Sequence, residues 1–163
     1  MTTQKQNTIW FPLLTLILAN LFIAVVYLFL VKGFNYTFIK NGEPTFALSG
    51  TIILWVTFGM LILMGLVPYF LFNLSNFKTD RTGLKKNYCW YYWFMLMVLL
   101  WAFFSFTLKF PIVGCIILGI AIAEGIYTTY RFMTNSICSG VLLSVFDLWL
   151  IYLFILNLAY ILL

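Results

Sequence analysis

The chain has 163 residues, of which 64% are apolar, 21% aromatic and only 8% charged. A soluble fold of this size has no interior large enough for that much apolar surface, so the bilayer must act as solvent and a soluble enzyme or domain is excluded. The net charge of +5 needs no nucleic acid to explain it, because basic loops facing anionic lipid account for it.

A helix needs roughly 20 residues to cross the hydrocarbon. The apolar runs predict spans over 8–31, 48–72, 88–108, 112–132 and 138–163. The segments between them carry the polar and turn-forming residues: Lys32 to Phe46 with Asn41-Gly42-Glu43-Pro44, Asn73 to Lys86, the turn Lys109 to Pro111, and Met133 to Ile137. The runs do not alternate in polarity as barrel strands do. The predicted fold is an all-α membrane protein, a single bundle of five transmembrane helices in one domain, 1–163, without an internal repeat. The first apolar run is too long for a signal sequence and no small-x-small cleavage site follows it, so it is expected to be retained.

Lys5, Lys78, Arg81, Lys85, Lys86 and Arg131 fall on the side of the N-terminus, against Lys32, Lys40 and Lys109 opposite. This bias predicts a cytoplasmic N-terminus and a C-terminus outside. Trp10, Trp90 and Trp93 lie near span ends, where indoles commonly form an interfacial belt, whereas Trp55, Trp101 and Trp149 lie deeper. Cys89, Cys115 and Cys138 show no metal spacing and read as small apolar fillers.

The stretch from Trp101 to Asn157 reads WAFFSFTLKFP, a long apolar helix, then VFDLWLIYLFILN. Trp101, Phe106, Pro111, Trp149 and Leu156-Asn157 fall, in one ungapped register, on a tryptophan, a phenylalanine, a turn proline, a second tryptophan and a Leu-Asn pair of the TspO/MBR family, the translocator proteins or tryptophan-rich sensory proteins. The chain resembles this family. Val145-Phe146 stand where the family has Pro-Tyr. In the N-terminal half Tyr36, Ile39, Lys40, Thr45 and Trp55 fit one register, but Thr45-Phe46-Ala47 replaces the family's Thr-Pro-Pro and Met64-Gly65 sits two positions late.

The resemblance implies a pocket inside the bundle, capped by the first loop, for flat apolar ligands such as porphyrins and haem-type tetrapyrroles. Carried over, its lining is Trp55, Val113, Ile116, Ile120, Trp149 and Leu153, with Trp101 as a further candidate; helix packing is the alternative role for each tryptophan. Ile116 and Ile120, and likewise Trp149 and Leu153, are one turn apart and share a face. An indole offers a flat surface for stacking and an N–H for a propionate or carbonyl. The resemblance also implies residence in the cell membrane of a bacterium. The glycines through which some relatives dimerise are missing from the third span, so a homodimer stays open as an oligomeric state but not through that interface.

Glu124 and Asp147 depart from the family and fall at similar depth on antiparallel neighbours. A lone carboxylate in hydrocarbon is costly, which favours protonation or pairing. An intramembrane carboxyl pair sharing one proton is one expectation; separate bonds to a hydroxyl or a backbone carbonyl are the other. Asn157 is expected to bond between helices, with Asn20 a candidate partner, and Gly119/Ala123 and Ala121/Gly125 to allow close packing.

No histidine is present, which removes imidazole ligation of haem iron and any His-based relay. No nucleotide loop, nucleophile set or metal motif appears, so no catalytic residue, no metal site and no required cofactor is assigned. The expected function is an integral membrane binding protein for porphyrin-like or other flat apolar ligands, in sensing, transport or disposal. The alternatives are a light-dependent porphyrin-degrading activity and a ligand-free scaffold or partner subunit working through the Asn73–Lys86 loop. The expected partners are the lipid bilayer and a small apolar ligand.

Overall fold

A computed structural model describes residues 3–31, 46–74 and 81–162, with side chains at 17–31, 46–71, 83 and 85–162. Six α-helices account for nearly all of it: α1 (Thr3–Val31), α2 (Gly50–Leu63), α3 (Leu66–Leu74), α4 (Arg81–Ala102), α5 (Pro111–Met133) and α6 (Ile137–Leu162). Strands are absent among the described residues. Among the described residues, four helical stretches are long and apolar enough to cross a bilayer: Gly50–Leu71, Lys85–Thr107, Pro111–Met133 and Ile137–Leu162. The described apolar part of α1, Ile17–Val31, is shorter. The protein is therefore an all-α, multi-pass membrane protein.

The second apolar run is one span but two helices, and Pro68 explains the break. Proline has no N–H to give the carbonyl four residues back, and its ring crowds that carbonyl. That carbonyl belongs to Met64, where α2 ends. The Met64 oxygen instead takes the Val67 N–H at 3.1 Å and stands 2.8 Å from the Tyr91 hydroxyl of α4. The same hydroxyl lies 2.7 Å from Asn20 Oδ1 on α1. Backbone freed by proline in hydrocarbon must find a partner within the protein, and Tyr91 of α4 supplies one for Met64; hydroxyls of α4 and α6 also bond two carbonyls at the start of α3. Tyr88 donates to the Pro68 carbonyl at 3.1 Å and Ser139 to the Val67 carbonyl at 3.0 Å. Gly65 at the break lets α1 close in: a Cβ there would stand 3.3 Å from Asn20 Cβ and 3.6 Å from Ile17 Cα.

The helix α4 starts at Arg81, ahead of the predicted apolar boundary at Tyr88, because helical pitch continues through its polar first turns. It ends in a five-residue π-helical turn, Phe103–Thr107, closed by Leu108 N–H to Phe103 carbonyl at 3.0 Å. Lys109 then takes a positive φ of 57°, and Pro111 opens α5 with the fixed φ that a first helical turn accepts. Ser105 is turned against Gly114 of α5, where a Cβ would collide with it.

Burial follows helical periodicity. The inward stripe of α1 is Asn20, Ala24, Tyr27 and Val31; that of α5 includes Leu118, Ala121, Gly125 and Phe132. The most extensive helix contact joins α5 to α6, followed by α4 to α5. Trp101, Tyr27, Tyr91, Phe94, Phe132 and Phe146 are the largest fully buried side chains among the described residues. Large apolar side chains such as Phe22, Ile52, Leu96, Ile126 and Leu148 are exposed on the outside, the surface expected to meet lipid.

Candidate functional site

Where α1 ends and α2 begins, the two helices leave a groove of about 550 Å³. Its volume lies within the range that holds a drug-sized ligand. On α1 its walls are Val25, Leu28 and Phe29, and on α2 they are Thr51, Leu54 and Trp55. Each set is spaced by three or four residues and so shares a helix face. The buried Tyr27, Val31 and Ile53 lie at its base, and Phe106, from the π-helical turn of α4, reaches into it. Thr107, next in that turn, donates to the Leu30 carbonyl at 3.2 Å and fixes the end of α1. Trp55 is 56% exposed and stands edge-on to Phe58 at 5.8 Å. The groove thus offers aromatic faces in a mainly apolar lining. The first loop, expected as its cap, lies outside the described residues apart from Phe46.

The tryptophans assigned from sequence occupy three different settings. Trp55 lines the groove. Trp149 is not part of the groove lining: its indole N–H donates to Thr57 Oγ1 at 3.0 Å, and Thr57 belongs to the buried face of α2 with Leu61 and with Ile53 of the groove base. Thr57 is two positions beyond Trp55, about 200° around the helix, so the two side chains leave α2 in different directions. Trp149 also stacks on Tyr152, with centroids 5.2 Å apart and planes at 28°. The Tyr152 hydroxyl in turn lies 3.1 Å from the Leu48 N–H and 3.3 Å from the Phe46 carbonyl, which ties the start of α2 to α6. Trp101 is buried and meets Phe106 at 5.3 Å, one side chain behind the groove wall.

The remaining assigned residues do not gather at the groove. Leu153 is buried in the core. Val113, Ile116 and Ile120 are exposed on the outer face of α5. Only Trp55 of the sequence-assigned set lines the groove, and α1 supplies much of the rest. The inherited pattern carried no α1 residue, so Phe29 and Leu28 had no signal beyond their apolar spacing.

Asp147 is buried between α5 and α6 and accepts a hydrogen bond from Thr129 Oγ1 at 2.7 Å. Its other oxygen lies against Gly125 and has no hydrogen-bond partner. Glu124 is half-buried on α5, and Asp147 is bonded to the Thr129 hydroxyl. Asn157 donates within its own helix to the Leu153 carbonyl at 3.0 Å, while Asn20 Oδ1 faces Tyr91. Thr57, Tyr91 and Thr129 are the polar anchors that sequence reasoning passed over. A hydroxyl inside a span, which must find an acceptor, was the available signal. Cys115 is buried, Cys89 and Cys138 are exposed, and no group of three or more metal-ligating side chains occurs among the described residues.

No known protein family matches this chain, and no characterised protein matches it either.

Proposed function

We propose that this protein is an integral membrane binding protein, a divergent relative of the TspO/MBR family, that takes flat apolar ligands of the porphyrin class into the groove between α1 and α2. In this reading α1 is the fifth span, the N-terminus is cytoplasmic, and the protein resides in the cell membrane of a bacterium, where it senses, moves or disposes of its ligand. The observation that carries the proposal is the aromatic lining of the groove, with Phe29, Trp55 and Phe106 around a space of about 550 Å³. Recognition would come from burial and π-stacking, since no imidazole exists to hold a metal.

The test is a tryptophan-fluorescence titration of the detergent-purified protein with protoporphyrin. Saturable quenching is expected, with affinity weakened by roughly three- to tenfold in Trp55→Phe through loss of indole stacking area. Trp149→Phe should bind as the parent does, because Trp149 is not part of the groove lining and its N–H is held by Thr57. Quenching that does not saturate, or affinity unchanged in Trp55→Phe, overturns the proposal.

A further inference from the structure

The outer face of α5 carries a continuous apolar stripe: Val113, Ile116, Ile120, Ala123 and Tyr127, spaced by three or four residues. All five are exposed, Ile116 by 60% and Tyr127 by 46%. From Tyr127 to Ile116 the stripe runs about 16 Å at 1.5 Å per residue, close to half of a ~30 Å hydrocarbon core. It therefore has the length of one acyl chain within one leaflet.

At one end of that stripe, polar and aromatic groups converge from two helices. Trp90 of α4 meets the Tyr127 ring at 5.3 Å with planes at 70°. Arg131, one turn beyond Tyr127, places its guanidinium carbon 5.7 Å from the centre of the same ring. Lys86 is exposed, one turn before Trp90. Because α4 and α5 are antiparallel neighbours, one turn before Trp90 and one turn after Tyr127 both lead out of the membrane on the same side. Two cations thus flank an aromatic pair at the interface, directly above an acyl-length stripe. The carboxylates among the described residues do not neutralise them: Asp147 is buried on Thr129, and Glu124 lies two turns deeper than Arg131.

We propose that this face of α4 and α5 binds one anionic phospholipid, its headgroup phosphate between Lys86 and Arg131 and an acyl chain along the Tyr127–Ile116 stripe. Charge selects this occupant. A second copy in the same orientation would bring a second Lys86 and Arg131 to the same depth, so like charges would meet. A zwitterionic lipid leaves the two cations without a net counter-charge. Interfacial lysines and arginines favour anionic lipid individually, and the Trp90–Tyr127 pair fixes the level at which a headgroup can sit. The site is separate from the groove between α1 and α2 and does not depend on it.

The experiment is native mass spectrometry of delipidated protein in neutral detergent, titrated with phosphatidylglycerol and with phosphatidylcholine of identical acyl chains. Phosphatidylglycerol is expected to bind roughly tenfold more tightly, from the attraction of two interfacial cations. The double variant Lys86→Gln/Arg131→Gln should bind both lipids equally, while Lys109→Gln, at the opposite end of the bundle, should keep the preference. Equal binding by the parent, a preference that survives the double variant, or a dimer formed in place of the lipid-bound monomer overturns the proposal. A second readout needs no variant. At equal mole fraction and low salt, acyl-brominated phosphatidylglycerol should quench the parent's tryptophans more than acyl-brominated phosphatidylcholine, through Trp90 and Trp93. Equal quenching again counts against the site.

Discussion

The indole N–H of Trp149 on α6 and the hydroxyl of Thr57 on α2 are joined at 3.0 Å, 92 residues apart in the chain. Thr57 donates its own proton to the Ile53 carbonyl at 2.8 Å, so its oxygen is oriented to accept. A tryptophan that the sequence suggests as a ligand wall is thereby a tie between two helices, and its N–H is already occupied.

That tie should be measurable as coupling. Thr57→Val keeps the shape of the side chain and removes the acceptor, and should lower stability by about 0.5–1.5 kcal/mol. The same change made in a Trp149→Phe background should cost much less, since the N–H is gone. Unfolding in sodium dodecyl sulfate across the four proteins of the cycle gives the coupling energy, and additive losses would refute the bond.

Two glycines of α5 should respond in opposite ways to alanine. A Cβ at Gly125 would meet Asp147 Oδ1 and the Phe94 ring, both in a packed interior, so Gly125→Ala should destabilise by about 1–3 kcal/mol. At Gly119 the nearest atom would be Phe154 Cε2 at 3.5 Å, an ordinary contact. Gly119→Ala should therefore be neutral or stabilising by up to about 1 kcal/mol, the helix-propensity gain. Thermal unfolding of both variants in one detergent checks the contrast.

Lys109 holds a φ of 57°, a conformation that costs a side-chain-bearing residue about 1 kcal/mol and costs glycine nothing. Lys109→Gly should then stabilise the protein by up to about 1 kcal/mol, reduced by the added freedom of the unfolded chain. A drop in the unfolding midpoint would mean that this turn takes another conformation.

The proposed orientation can be read from one thiol. Cys138 is exposed in the first turn of α6, while Cys115 is buried. In a Cys89→Ala background, a membrane-impermeant maleimide should label Cys138 in inverted membrane vesicles and leave it unlabelled in intact cells. Labelling from the outside would place the N-terminus outside as well.

The all-α class and the presence of apolar runs long enough to cross a bilayer were legible in the sequence alone. These follow from one-dimensional quantities, namely run length, hydropathy and the positions of Pro and charge, as at Pro111 and between 133 and 137. It also held the cause of the broken second span, since Pro68 denies Met64 its usual partner. The partner that makes the break tolerable, Tyr91, came only with the tertiary structure. The groove was least legible. Its walls come from α1, α2 and the turn after α4, and which face of each helix turns inward depends on how all of them pack. An all-apolar helix gives almost no amphipathic signal to distinguish lipid-facing from core-facing residues, because lipid and core are nearly equivalent solvents. For that reason Ile116 and Ile120, spaced correctly for a pocket, lie on the outer face. Trp55 lines the groove while Trp149 is held on Thr57 for the same reason. Polar atoms have no such equivalence in hydrocarbon, so the choice of inward face rested on the few hydroxyls, amides and carboxyls that had to find one another.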